Sequence, residues 1–103
     1  MLRFELINSK EMDKYVGNKH AMIIDVRNKT EFNEMHITDA VNIPIEKLEA
    51  MYDKMPKDFI YVLYCNGGGT GILAAKELFD RGHITRALLG GINAYDGNYI
   101  ESE

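Results

Sequence analysis

The stretch that most constrains this chain is an apolar run that stops at glycines and then turns helical. "FIYVLYC", residues 59–65, is followed within one residue by Gly67-Gly68-Gly69 and then by "TGILAAKELFDRG". A run apolar on successive positions reads as a strand covered on both faces. The segment after it has helical spacing, with Ile72, Ala75, Leu78 and Phe79 inward, Lys76, Glu77, Asp80 and Arg81 outward, and Gly82 at its end. A strand feeding a helix through a short loop is half of a parallel β–α–β unit.

The rest of the chain repeats that alternation. "RFELI" (3–7), "AMIIDV" (21–26), "AVNIP" (40–44) and "RALLGG" (86–91) read as further strands. After the first, Asn8 and Glu11 form a capping pair ahead of a stripe of Met12, Tyr15 and Val16, which ends at Gly17. "KTEFNEMH" can hold a short helix, and "IEKLEAMYDKM" holds one with Ile45, Leu48 and Tyr52 on one face. "INAYDGNY" reads as a short closing helix. The expected fold is α/β, a parallel sheet with helices on both faces, and residues 1–103 read as one domain.

Charge and cysteine usage exclude several functions. A net charge of -4 gives no electrostatic basis for binding nucleic acid or an anionic membrane. No apolar stretch approaches the length of a membrane span, and the charged start "MLRFELINSKEMDK" does not resemble a signal peptide. The single cysteine, Cys65, cannot form an internal disulfide, which fits a reducing, cytoplasmic setting. His20, His36 and His83 share no ligand spacing with Cys65, so no metal and no cofactor is expected. Nothing demands more than a monomer.

In parallel sheets ligands bind beyond the carboxyl ends of the strands, which is where Cys65 stands. A nucleophilic thiol must be held as thiolate. No Lys, Arg or His lies between Cys65 and Gly71, so the stabilisation would come from backbone N–H groups and the start of the following helix. Glycines let successive N–H groups turn toward one centre. An anion-holding loop around Cys65 is one reading; a small core thiol followed by a plain turn is the other.

Three phosphate-binding motifs fit less well. Gly69-x-Gly71-x-x-Ala74 matches the loose dinucleotide pattern, but no acidic residue follows the next strand to hold a ribose. A nucleotide P-loop would need Lys-Ser or Lys-Thr after the glycines. A cysteine phosphatase would need a guanidinium at the far end of the loop, where Thr70 and Gly71 stand.

Three segments together resemble the rhodanese-like domain family. "IIDVRNKTEFNEMHITDAVNIP" (23–44) is similar to its first signature through Asp25, Arg27, Glu31, His36, Ile37, Ala40, Asn42 and Pro44. "CNGGGTG" resembles its active-site loop, which runs from Cys65 to Thr70. "LLGGINAY" (88–95) resembles its closing segment, with Tyr95 where Trp is usual. The resemblance implies a five-stranded parallel sheet with helices on both faces, and a Cys65 that carries sulfane sulfur as a persulfide. It also implies a sulfurtransferase, taking sulfur from a small donor such as thiosulfate or a persulfide and passing it to cyanide or a thiol, with a partner protein in a sulfur relay as a further possibility. The loop is one residue shorter than in related phosphatases, which suits sulfur over a tetrahedral oxyanion. Many members carry a basic residue where this chain has Thr70, so weak or selective use of thiosulfate is expected. A carrier or regulatory module with negligible turnover of small molecules is the alternative; a related phosphatase or oxyanion reductase is a more distant one.

The expected site is therefore Cys65 as nucleophile, with Asn66, Gly67, Gly68, Gly69, Thr70 and Gly71 around the substrate and Asp25 and Arg27 in support. Asp25 is expected to bond backbone N–H groups of the next turn. Arg27 is expected to pair with Glu31 or another carboxylate, and His36 to serve packing or hydrogen bonding. Gly90-Gly91 is expected to allow a close backbone approach to the loop or to form a turn. Met35, Met51 and Met55 are expected to fill the core.

Overall fold

A computed structural model describes residues 2–103. Strands β1 (Phe4–Ile7), β2 (Ala21–Asp25), β4 (Val41–Asn42), β5 (Ile60–Tyr64) and β6 (Ile84–Leu88) form one five-stranded sheet in the order β1-β6-β5-β2-β4. Every neighbouring pair in it is parallel. Helices α1 (Ser9–Asp13), α2 (Lys29–Glu34), α3 (Ile45–Met51) and α4 (Gly69–Asp80) link the strands. β5 is central, which is why its residues 61–64 are all buried.

Alternate residues of the strands feed two cores. Ile24, Tyr61, Leu63 and Ala87 face α3 and α4, packing on Leu48, Tyr52, Ala74, Ala75 and Leu78. Ile23, Val62, Tyr64 and Leu88 face the other way, against Met12, Ile37 and Ile92. The period of two within β5 thus divides one apolar run between two layers.

Local signals set the helix starts. Asn8 and Glu11 form the expected capping box, the Glu11 N–H donating to Asn8 Oδ1 at 2.9 Å and the Asn8 N–H to Glu11 Oε1 at 3.0 Å. Asn28 caps α2 with its side chain alone, Oδ1 accepting from the Glu31 N–H at 2.8 Å.

Several expectations are corrected. α1 stops at Asp13, so Tyr15 and Val16 pack from a turn rather than from a helix. The buried face of α4 is Gly71, Ala74, Ala75 and Leu78; Ile72 and Phe79 are only partly buried. Small residues take the inner face because the helix runs close to β5: a Cβ on Gly71 would lie 3.0 Å from Tyr64 Cα. The "INAYDGNY" segment is a single 3-10 turn, Ile92–Ala94, and not a closing α-helix. Beyond it the Tyr95 hydroxyl donates to Asp13 and accepts the Tyr99 N–H, so polar anchors hold the chain extended. Two strands that the periodicity does not reveal, β3 (His36–Ile37) and β7 (Ile100–Glu101), form a small antiparallel pair. Of Met35, Met51 and Met55, Met55 is buried and Met51 packs against the core, whereas Met35 is 41% exposed just past the end of α2. Among the described residues no helix is long and apolar enough to cross a membrane.

Candidate active site

Cys65 follows the last residue of β5 and stands at the carboxyl edge of the sheet. The loop after it folds back on the sulfur. The Gly68 N–H donates to Cys65 Sγ at 3.1 Å and the Gly71 N–H at 3.3 Å. Both donors belong to the start of α4, whose orphan N–H groups and positive dipole end therefore bear on the sulfur. Gly68 reaches this geometry with φ +107 and lies against the Gly90 backbone, which a Cβ would approach to 3.0 Å. The segment after β6 holds the loop from below: the Ile92 N–H donates to Cys65 O at 2.9 Å, and the Asn93 N–H to Asn66 O at 3.0 Å.

On its open side the sulfur faces a hollow of about 300 Å³ lined by Val26, Arg27, Glu31, Ile45, Asn66, Gly67, Gly69 and Thr70. Cys65 is buried, 8% exposed, and it lines this hollow. Beside it lies a larger groove between α3 and α4, about 550 Å³, which shares Ile45 and Thr70 with the hollow.

Asp25 and Arg27 form the supporting structure. The carboxylate is wholly buried and accepts the Arg27 N–H at 2.9 Å, as expected of an acid at the end of a strand. It also takes the guanidinium: Nε–H at 3.1 Å to both oxygens and Nη2–H at 2.7 Å to Oδ2. Arg27 thus pairs with Asp25, two residues back, and not with Glu31. Burial, the largest single influence, would lower the pKa of its guanidinium, but the bond to Asp25 and the charges of Asp25, Tyr64 and Glu31 together outweigh it and the net direction is upward. Nη2–H also donates to Met35 O at 2.5 Å, and Nη1–H to Asn66 Oδ1 at 3.4 Å. Asn42 closes the turn, its amide donating to Asp25 O at 3.1 Å and Arg27 O at 2.9 Å.

Behind the loop, Tyr64 is fully buried and its hydroxyl accepts the Ile37 N–H at 3.0 Å. Burial, with the nearby Asp25, pushes its phenol far above the usual range. His36 stacks on Phe32 with Nδ1 2.8 Å from Phe32 O, a packing and hydrogen-bonding residue remote from Cys65 in its contacts. Among the described residues no three His, Cys, Asp or Glu side chains gather as a metal site.

Most of the residues singled out from the sequence thus meet. Asn66, Gly67, Gly69 and Thr70 border the hollow with Cys65, while Gly68 and Gly71 touch the sulfur through their N–H groups. Arg27 reaches the hollow, whereas Asp25 lies beneath it as the partner of Arg27. Glu31 is the residue that sequence reasoning underweighted. It lines the hollow and accepts the Asn66 amide at Oε2, 2.7 Å away. The four-residue spacing from Arg27 marks Glu31, but it points to the wrong partner.

The family model of the rhodanese-like domain matches residues 8–98. The chain is 32% identical over 87 residues to a tRNA sulfurtransferase of Desulfurococcus amylolyticus, covering 84% of this chain but 17% of that protein. It is 31% identical over 103 residues to the adenylyltransferase and sulfurtransferase MOCS3 of Drosophila sechellia, covering 91% of this chain and 23% of that protein. The chain therefore spans only about a fifth of the length of these relatives. The thiosulfate sulfurtransferase GlpE of Coxiella burnetii is 24% identical over 103 residues, covering 99% of this chain and 96% of its own length. Among solved structures, a rhodanese-related protein from Thermoplasma volcanium superposes with a TM-score of 0.84 at 25% identity, covering 96% of this chain and 99% of that one. By the extent of the family match and by its fold, the chain belongs to the rhodanese-like domain family.

Proposed function

We propose that residues 1–103 act as one sulfurtransferase unit in which Cys65 carries sulfane sulfur as a persulfide. The observation that carries this reading is the pair of backbone N–H groups on Cys65 Sγ, at 3.1 and 3.3 Å, beside an open hollow. Backbone dipoles fixed on a sulfur favour its anion and need no reorganisation during transfer.

The cycle has two displacements. The Cys65 thiolate attacks the outer sulfur of a donor; with thiosulfate, the S–S bond breaks and sulfite leaves with both electrons. Cys65 then bears a terminal sulfur anion, for which the rim of Asn66, Gly67, Gly69 and Thr70 leaves room. An acceptor, cyanide or a thiolate, attacks that terminal sulfur and releases the Cys65 thiolate. A thiol on a partner protein is an equally good acceptor in this scheme, and the sulfurtransferase names of the relatives support that role. The first displacement needs Cys65 as a free thiolate, so we place the reaction in the cytoplasm.

A carrier with slow small-molecule turnover is the second reading. It is favoured by Thr70, which brings no charge to the mouth of the hollow, and by Arg27, whose fork is filled by Asp25. The same absence of a free guanidinium weighs against a phosphatase.

Mass spectrometry after exposure to thiosulfate or a persulfide donor tests the proposal. One added sulfur atom on the peptide containing Cys65, absent in Cys65→Ser, is the expected result. Steady thiocyanate formation from cyanide, lost in Cys65→Ser, distinguishes enzyme from carrier. Equal thiocyanate formation by both proteins would remove Cys65 from the mechanism.

A further inference from the structure

Resting on the sulfurtransferase reading, we infer that Glu31 selects the sulfur donor by charge. The hollow accepts an organic persulfide bearing at most one negative charge and disfavours inorganic dianions such as thiosulfate. Two charged side chains line the hollow, Arg27 and Glu31. Arg27 has little to offer an incoming anion. Its Nε–H and one Nη2–H go to Asp25, the second Nη2–H goes to Met35 O, and one Nη1–H goes to Asn66. Its side chain is 5% exposed, and the Asp25 carboxylate beneath it is wholly buried. The positive charge is thus matched within the protein.

Among the described residues Glu31 makes no direct ion pair, although its charge, with that of Asp25, acts on Arg27. Its Oε2 accepts from the neutral amide of Asn66, the residue next to the nucleophile. With the Arg27 guanidinium bonded to Asp25, the group of Asp25, Arg27 and Glu31 carries one net negative charge, and Glu31 brings it to the mouth through which a donor must pass. Once Cys65 is a thiolate, an approaching anion meets two negative charges of like sign in a partly desolvated site. The adjoining groove adds Glu49, and Glu77, which Arg81 holds at 2.8 Å. Such a site slows a dianion more than a monoanion, because the repulsion scales with the donor's charge.

The chemistry of the favoured donor balances without an added reagent. The Cys65 thiolate attacks the terminal sulfur of R–S–SH. The S–S bond of the donor breaks, its electrons go to the R–S sulfur, and that thiolate takes the proton. The products are the Cys65 persulfide anion and R–SH, one negative charge on each side of the equation.

The test uses cyanide as acceptor and compares thiosulfate, charge minus two, with benzenethiosulfonate, charge minus one. In a two-step displacement, kcat/KM for the donor reports the first step alone. Glu31→Gln keeps an acceptor for the Asn66 amide and removes the charge. The expected result is a rise of about tenfold in kcat/KM for thiosulfate and about threefold for benzenethiosulfonate. Glu31→Asp, which keeps the charge but is too short for the Asn66 bond, should retain the wild-type ratio between the two donors. The wild type itself supplies a test without any variant: its thiosulfate rate should rise with ionic strength. Persulfides of cysteamine and of a cysteine in a lysine-flanked peptide should each load Cys65 faster than thiosulfate does, the faster of the two naming a small-molecule or a protein source. Sulfur transfer through Cys65 with equal factors for both anions, or a thiosulfate rate that falls with salt, would overturn the role of Glu31 alone. Failure of every donor to place sulfur on Cys65 would overturn the sulfurtransferase reading and this inference with it.

Discussion

Gly91 lies in backbone contact with Asn66. A Cβ built on Gly91 would fall 2.6 Å from the Asn66 carbonyl carbon and 2.6 Å from Cys65 O. Its φ of +63 is also one that L side chains seldom adopt. The segment after β6 is thereby pressed against the Cys65 loop from below. Gly91→Ala should cost about 2–4 kcal/mol, through backbone strain plus an overpacked contact. Urea unfolding would read this as a lower midpoint, and persulfide uptake by Cys65 should fall even in the folded fraction. An unchanged midpoint would show that the loop does not depend on that contact.

The Asp25–Arg27 pair predicts an asymmetry between single and double substitutions. Removing the acid alone leaves a buried guanidinium, so Asp25→Ala should cost about 3–5 kcal/mol. Replacing both partners with apolar residues, as in Asp25→Leu with Arg27→Met, should recover much of that loss. Denaturant titration of the wild type, Asp25→Leu, Arg27→Met and the double variant gives the coupling energy.

Thr70 borders the hollow and stands in the first turn of α4. Thr70→Arg brings a cation to the mouth, and thiosulfate turnover should rise about tenfold as the leaving sulfite gains charge stabilisation. A fall in turnover by a protein that still melts cooperatively would count against an electrostatic deficit in the loop.

Tyr95 predicts an alkaline change in stability. Burial, then its bond to Asp13, raises its phenol to about 12 from the ordinary 10.0. The folded state thus keeps a proton that the unfolded chain releases. The stabilisation is complete below pH 10 and is lost as pH rises to about 12. Tyr95→Phe should be less stable near pH 8, and its deficit should shrink across that window. Melting temperatures of the two proteins from pH 8 to about 12 provide the measurement.

His83 predicts the opposite limb. It is 3% exposed, its Nδ1 has no partner among the described residues, and its ring meets Tyr61 edge-on at 5.2 Å. Burial, followed by the charges of Lys57, Arg3 and Arg81, lowers its pKa below 6.5. Below that value the unfolded chain binds the proton more readily than the fold does, so stability should fall as pH drops from 6.5. His83→Phe keeps an aromatic ring against Tyr61 and should flatten the decline between pH 7 and 5.

Much of this protein is determined locally and so can be read along the chain. The apolar run before Cys65 requires cover on both faces, and the Asn8–Glu11 pair caps a helix wherever the rest of the chain goes. The glycines after Cys65 allow N–H groups to converge whatever surrounds them. Partners distant in sequence, or chosen by orientation, are a different matter. β3 and β7 are two residues each and have no periodicity; they pair because Tyr95 and Asp13 hold the last segment against the body of the fold. Spacing allowed Arg27 to take Glu31 or another acid, and only the buried position of Asp25 decided the pairing. That choice leaves Glu31 facing the hollow beside the sulfur. Local sequence sets which residues can bear charge, but the charge a substrate meets depends on which of them the fold neutralises.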